Sequence, residues 1–171
     1  MKPLLYILPL IVGCTPKVFP EDNNLPTPTN QSYGGELAVD FSTAWEVAIE
    51  VLAEEAPIVE SNNSTGEIET GWIMGPSDDV FTAYGGTRIP EPARYRFFAR
   101  VEPYGQGSFV TVYGQQEIEK DMISIDREFT GAIYQWIEVA TPVLRIQNLW
   151  ERVQESANSR TGTSQEYDYQ Y

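Results

Sequence analysis

Glu117 and Glu119 stand two positions apart in the run FVTVYGQQEIE. On an extended strand this puts both carboxylates on one face, about 7 Å apart at a rise of ~3.3 Å per residue. Paired carboxylates at such a separation can hydrolyse glycosidic bonds. The same spacing describes a solvated strand face. In a chain with 25 Asp and Glu against 11 Lys and Arg, that is the favoured reading. Nothing else completes a catalytic set. There is no histidine, which excludes Ser-His and Cys-His nucleophile pairs. Lysine occurs only at 2, 17 and 120, and no serine is set beside Lys120 by pattern. Zinc would lack imidazole and find a single thiol. Asp78-Asp79 lacks the spacing of a calcium loop, and YGGT at 84–87 reads as a turn rather than a phosphate cradle. The expectation is a non-enzyme with no catalytic, cofactor or metal residues.

The chemistry that remains belongs to the one cysteine, Cys14. Residues 1–13 have the layout of an export signal: Lys2, an apolar run from Pro3 to Val12, then a small residue. The run is too short to span a bilayer, which takes about 20 residues. It ends Ile11-Val12-Gly13-Cys14, which resembles the bacterial lipobox, where the thiol takes a diacylglycerol and cleavage leaves the cysteine as the new N-terminus. The resemblance implies a lipid anchor on Cys14. Thr15, in place of the aspartate that commonly retains lipoproteins at the inner membrane, implies the outer membrane; in a cell with one membrane the anchor lies there. A buried helix with a core cysteine is the alternative. The sequence TPKVFPEDNNLPTPTNQ that follows does not continue a helix and reads as an extended stalk.

Length bounds the rest. With 171 residues the chain holds one domain and short tails. A formal charge of −14 repels phosphate backbones, so nucleic acid is not an expected partner.

The elements that must position any site follow from periodicity. DFSTAWEVAIEVLAEEAP has Asp40 or Ser42 as N-cap and Trp45, Ala48, Ile49 and Leu52 at helical spacing, with Pro57 beyond its end. IVESNNSTGEIETGWIM reads as two strands around a turn at 62–66, with Ile68, Trp72 and Met74 on one face. In RYRFFARVEPYGQGSFVTVYGQQEIE, Tyr95, Phe97, Ala99 and Val101 alternate with Arg94, Arg96, Phe98 and Arg100, and the chain returns as a further strand. Glutamates 67, 69, 117 and 119 supply cross-strand partners for the arginines. Residues 120–141 are expected to be largely extended. Thr141 and Pro142 open a last helix with Val143, Ile146, Leu149, Trp150 and Val153 as its apolar stripe. The fold class is α+β: an antiparallel sheet of about four strands, with the N-terminal and C-terminal helices on one face in a helix-grip-like arrangement. The expected organisation is a signal over 1–13, a tether over 14–37, the domain over 38–157 and a disordered tail over 158–171.

Between the second and third expected strands, GPSDDVFTAYGGTRIPEPA at 75–93 reads as a long loop. Phe81, Tyr84, Arg88 and Ile89 within it form an aromatic-plus-arginine mixture enriched in interfaces, and they are the candidate docking residues. The alternative is a flap over one end of the sheet.

With DFSTAWEVAIEVL, STGEIETGWI, RYRFFARV, FVTV and the capped final helix in this order, residues 38–155 resemble the helix-grip domains of BamC-type outer-membrane lipoproteins. The resemblance implies that Trp45 packs on the sheet and that Gly66 opens the second strand. Lipobox, stalk and domain together imply a lipid-anchored periplasmic protein that acts as a structural or accessory subunit of a larger envelope assembly. Its partners would be the membrane, through Cys14, and other envelope proteins. Two alternatives stand beside this: a module binding an apolar ligand in a cavity lined by Trp72, Tyr95, Phe97 and Trp150, and a hydrolase using Glu117 and Glu119.

Overall fold

A computed structural model describes residues 31–123 and 132–163. Cys14, the signal segment, most of the expected tether and residues 164–171 lie outside them.

Among the described residues, seven strands and two helices follow in the order β1 (Ser32–Leu37), α1 (Phe41–Glu55), β2 (Ile58–Asn62), β3 (Glu67–Thr70), β4 (Ile73–Tyr84), β5 (Thr87–Tyr104), β6 (Gly107–Ile123), β7 (Ala132–Val139) and α2 (Val143–Thr163). One antiparallel sheet runs β1-β6-β5-β3-β2, with β4 also on β5 and β7 also on β6. The class is α+β as expected, but with seven strands rather than about four. The excess arises because β5 and β6 are long enough to carry two partners in succession along one edge. β3 then β4 line β5, and β1 then β7 line β6.

Alternation along β5 and β6 creates the core. Ala93, Tyr95, Phe97, Ala99 and Val101 of β5, with Val110, Val112 and Ile118 of β6, are buried beneath both helices. α1 contributes Ala44, Val47, Ala48, Val51 and Leu52. Its stripe is rotated from the expected one, because small and β-branched residues let the helix approach the sheet closely. Trp45 and Ile49 fall at its margin, half-buried, and Trp45 stacks on Phe41 with ring centroids 6.1 Å apart. α2 buries Ile146, Leu149, Val153 and Ala157. It runs past the expected boundary at 157. Arg152 and Arg160 each bridge from it to two α1 glutamates, Arg152 to Glu54 and Glu55, Arg160 to Glu46 and Glu50.

Asp40 is the α1 cap. Its carboxylate accepts from the Thr43 N–H at 2.8 Å and the Ser42 hydroxyl at 2.7 Å, and these bonds hold its pKa below the ordinary 3.8. A carboxylate lowered on folding stabilises the fold above its ordinary pKa and loses that contribution as pH falls through the lowered value. The stability gap between wild type and Asp40→Ala is therefore expected to stay constant above pH 3.8 and to narrow below it. Denaturant midpoints across the acid range measure this. Thr141, the expected cap of α2, instead donates its hydroxyl to the Gly114 carbonyl of β6 at 2.9 Å.

Three further expectations are corrected. The tether does not extend to residue 37, since Ser32–Leu37 is a sheet strand. The loop expected over 75–93 is a hairpin, closed by Gly85 and Gly86 at positive φ, which suits a two-residue turn. Finally, Ile68 does not share a face with Trp72 and Met74. Glu69 pairs with Phe98 and Ile73 with Tyr95, so four steps on the β3–β4 side span three on β5. The extra residue at Gly71-Trp72 is a bulge, and it turns Trp72 and Met74 to the face away from the helices.

Candidate functional site

The β4–β5 hairpin outgrows the sheet. Pairing of β5 with β6 begins at Ala93, so among the described residues the ladder partner of Thr87 to Pro92 is β4. At the root of this ribbon Pro76 faces Pro92, and neither can donate to the ladder. The register then shifts, with residues 77–80 bulging opposite Glu91 before Phe81 meets Pro90. The bulge is clamped on several sides. Ser77 turns inward, and its oxygen accepts from the Val80 N–H at 3.0 Å and from the Gln116 amide at 2.9 Å. Asp78 pairs with Arg145 of α2 at 2.8 Å. The Arg145 guanidinium lies 4.2 Å over the Tyr95 ring, whose hydroxyl donates to the Pro76 carbonyl at 2.8 Å. Burial first, then the charge of Asp78, pushes the Tyr95 pKa up.

All four candidate docking residues sit on this ribbon, beyond the clamp. Register divides them between its two faces. Arg88 shares one face with Phe81 and lies 4.2 Å over its ring; Ile89 and Tyr84 occupy the other. Tyr84 is 77% exposed and Ile89 47%. Lys120 of β6 holds Glu91 at 3.1 Å and ties the ribbon to the neighbouring strand.

The face of the sheet away from the helices carries a second cluster. Arg94 lies 4.6 Å from the Trp72 ring and 4.5 Å from the Trp136 ring, and donates to Glu117 at 2.7 Å. Arg96 lies 4.8 Å from Trp72 and 5.1 Å from Phe98, and reaches Glu69 at 2.6 Å and Gln115 at 2.7 Å. Phe98 stacks on Tyr113 with centroids 4.7 Å apart. Burial, then Glu67 and Glu69, raise the Tyr113 pKa. Alternation predicts the arginine row; of its four expected glutamate partners Glu117 and Glu69 hold Arg94 and Arg96, while Arg100 pairs with Glu102 of its own strand. Trp72 lies on the face opposite to the expected one, because the bulge reverses it, and Trp136 is signalled by no local period, because β7 arrives from far along the chain.

Glu117 and Glu119 do not form a free carboxylate pair. Glu117 is held by Arg94, and Glu119 stands in the ladder opposite Trp136. Nor do Trp72, Tyr95, Phe97 and Trp150 line one cavity: Tyr95 and Phe97 are in the core, Trp72 is on the far face, and Trp150 lies over Gly35 of β1. A cleft of about 590 Å³ does open between the helices and the β4 bulge, with Phe97, Leu149, Arg145 and Arg152 among its walls.

No family model and no curated protein sequence matches this chain. Among solved structures it is similar to Ara h 8.0201, with a TM-score of 0.33 and 11% identity over 77% of this chain and 98% of that one. It is also similar to a DUF4468 family protein from Bacteroides ovatus, with a TM-score of 0.33 and 10% identity over 80% of this chain and 85% of that one.

Proposed function

We propose that this is a single-domain, helix-grip lipoprotein of the BamC type, held by acyl chains on Cys14 to the outer membrane, or to the cell membrane where there is only one. It serves as an accessory subunit of an envelope assembly and docks through the β4–β5 ribbon. The observation that carries the docking role is the ribbon itself: a rigidly rooted arm presenting Tyr84 and Ile89 to solvent, with Arg88 lacking a carboxylate partner among the described residues. Exposed aromatic and arginine side chains on a fixed element are the usual anchors of protein interfaces. The lipobox supports the anchor.

The test is a crosslinked pull-down from membranes of cells making the full chain. Tyr84→Asp with Ile89→Asp is expected to cut partner recovery by tenfold or more, as loss of hot spots of ~2 kcal/mol each would, while the protein stays folded and membrane-bound. Cys14→Ser is expected to release it from the membrane with an unprocessed mass. Recovery of the wild type only as a free monomer would count against the docking role. The cleft beside Phe97 and Leu149 favours one second reading, a small-ligand site, since its volume falls within the ~300–1,000 Å³ span of such sites. Native mass spectrometry of the purified protein checks it.

A further inference from the structure

The end of β2 and the turn after it read Glu60-Ser61-Asn62-Asn63-Ser64-Thr65-Gly66. This run holds two overlapping Asn-X-Ser/Thr triplets, the acceptor pattern for N-linked saccharides, one starting at Asn62 and one at Asn63. Every residue from Val59 to Thr65 is exposed, as so bulky an addition requires. β2 also ends the strand order, with β3 its one partner among the described residues. Sequence alone ranks the two triplets equally, and hydrogen bonding separates them. Asn62 Oδ1 accepts from the Ser64 N–H at 3.0 Å and from the Ser64 hydroxyl at 2.6 Å, an Asx turn closed within its own triplet. A backbone donor fixes which way the amide is turned, so Nδ2 faces away from Ser64. Neither Nδ2 proton has a partner among the described residues, and the Asn63 side chain makes no hydrogen bond there at all.

An amide nitrogen is a poor nucleophile because its lone pair is shared with the carbonyl. Donors on Oδ1 draw charge onto the oxygen and make an Nδ2 proton easier to remove. Glu60, two residues earlier on the strand, shares a face with Asn62 and has no ion pair among the described residues. Its carboxylate is a handle for a basic enzyme surface. We infer that Asn62 is a glycosylation site, at which an oligosaccharyltransferase attaches a saccharide delivered on a polyprenyl diphosphate. A bond forms between Nδ2 and the anomeric carbon. The anomeric C–O bond breaks with its electron pair left on the diphosphate, and the Nδ2 proton passes to a base of the transferase. The site stands well clear of the docking arm. Glu67, which pairs with Asn62, also pairs with Arg100, ten residues along β5 from Pro90, or ~33 Å at about 3.3 Å per residue. In the cell the transfer rests on export of the chain as proposed, whereas the acceptor geometry does not.

The test uses the purified full chain carrying Cys14→Ser and Asn30→Gln, the second change removing a further triplet at Asn30-Gln31-Ser32. It is incubated with a bacterial oligosaccharyltransferase and a polyprenyl-diphosphate oligosaccharide, and peptide mass spectrometry locates the product. A single saccharide on Asn62 is expected. Asn62→Gln is expected to abolish it and Asn63→Gln to keep it. Ser64→Ala spoils the Asn62 triplet but keeps Thr65 two places after Asn63, and it is expected to abolish the product too. Glu60→Gln is expected to slow transfer about tenfold, as loss of one charge-assisted contact would. A saccharide on Asn63, or one that survives Asn62→Gln, overturns the inference. So does a folded chain left unmodified in a reaction that modifies a free peptide of residues 58–66. The transferase meets the chain directly, so failed export cannot produce a negative result; the membrane release expected of Cys14→Ser in cells tests the anchor separately.

Discussion

Phe97→Ala is expected to lower the unfolding free energy by about 3–5 kcal/mol, the range for emptying a fully buried aromatic site. Phe97 has no exposed surface and sits near the middle of β5, in the core on the helix-covered face of the sheet. Its own N–H donates to the buried Thr70 hydroxyl at 2.8 Å, so the backbone on either side is fixed and cannot collapse into the space. Such a loss is a large fraction of the ~5–15 kcal/mol that holds a domain together. A urea midpoint displaced downward with an unchanged slope is the expected result. Because Phe97 also lines the cleft, the vacated volume would be continuous with it. A small apolar compound such as benzene is therefore expected to recover part of the lost stability of the variant and to leave wild type unaffected.

The second large effect is expected at Gly66. Its φ is +72°, and a Cβ there would stand 1.9 Å from the Val101 carbonyl oxygen. The left-handed backbone alone costs an alanine about 1–2 kcal/mol. The clash adds to this, because the obstacle is backbone: the Val101 N–H donates to the Gly66 carbonyl at 2.8 Å, and moving it opens the junction of β3 with β5. Gly105 is the matched control, with φ +59° but nothing within 4 Å of its would-be Cβ. Gly105→Ala is expected to lose only the backbone contribution, and Gly66→Ala clearly more, in parallel thermal melts.

Both helices and the long β5–β6 hairpin were legible because each carries one unbroken period, and the arginine–glutamate pairing across strands followed from it. What escaped was set by events that no period announces. A single added residue at Gly71-Trp72 exchanges the faces of Trp72 and Met74 relative to Ile68. β1 falls inside the expected tether, and its Gly34 and Gly35 are poor strand formers in isolation. Gly34 is required by its partner, since a Cβ there would lie 2.4 Å from the Val110 carbonyl oxygen. β4 was hidden by Pro76 and the polar run after it, whose ties to Arg145 and Gln116 come from distant segments. The docking residues were legible as a composition, and only the register shows that Phe81 and Arg88 turn from Tyr84 and Ile89.

The place of β1 also has a kinetic consequence. Among the described residues β1 is the first strand to be made, and there its one neighbour in the sheet is β6. Between them lie α1 and the whole of β2 to β5. The β5–β6 hairpin can close as soon as it exists, whereas β1 must wait for most of the domain and then find its place by a long-range encounter, the slow kind of contact in folding. Until that moment the edge of β6 that β1 will occupy stays uncovered, and a chaperone or a neighbouring chain has its best opportunity to bind there.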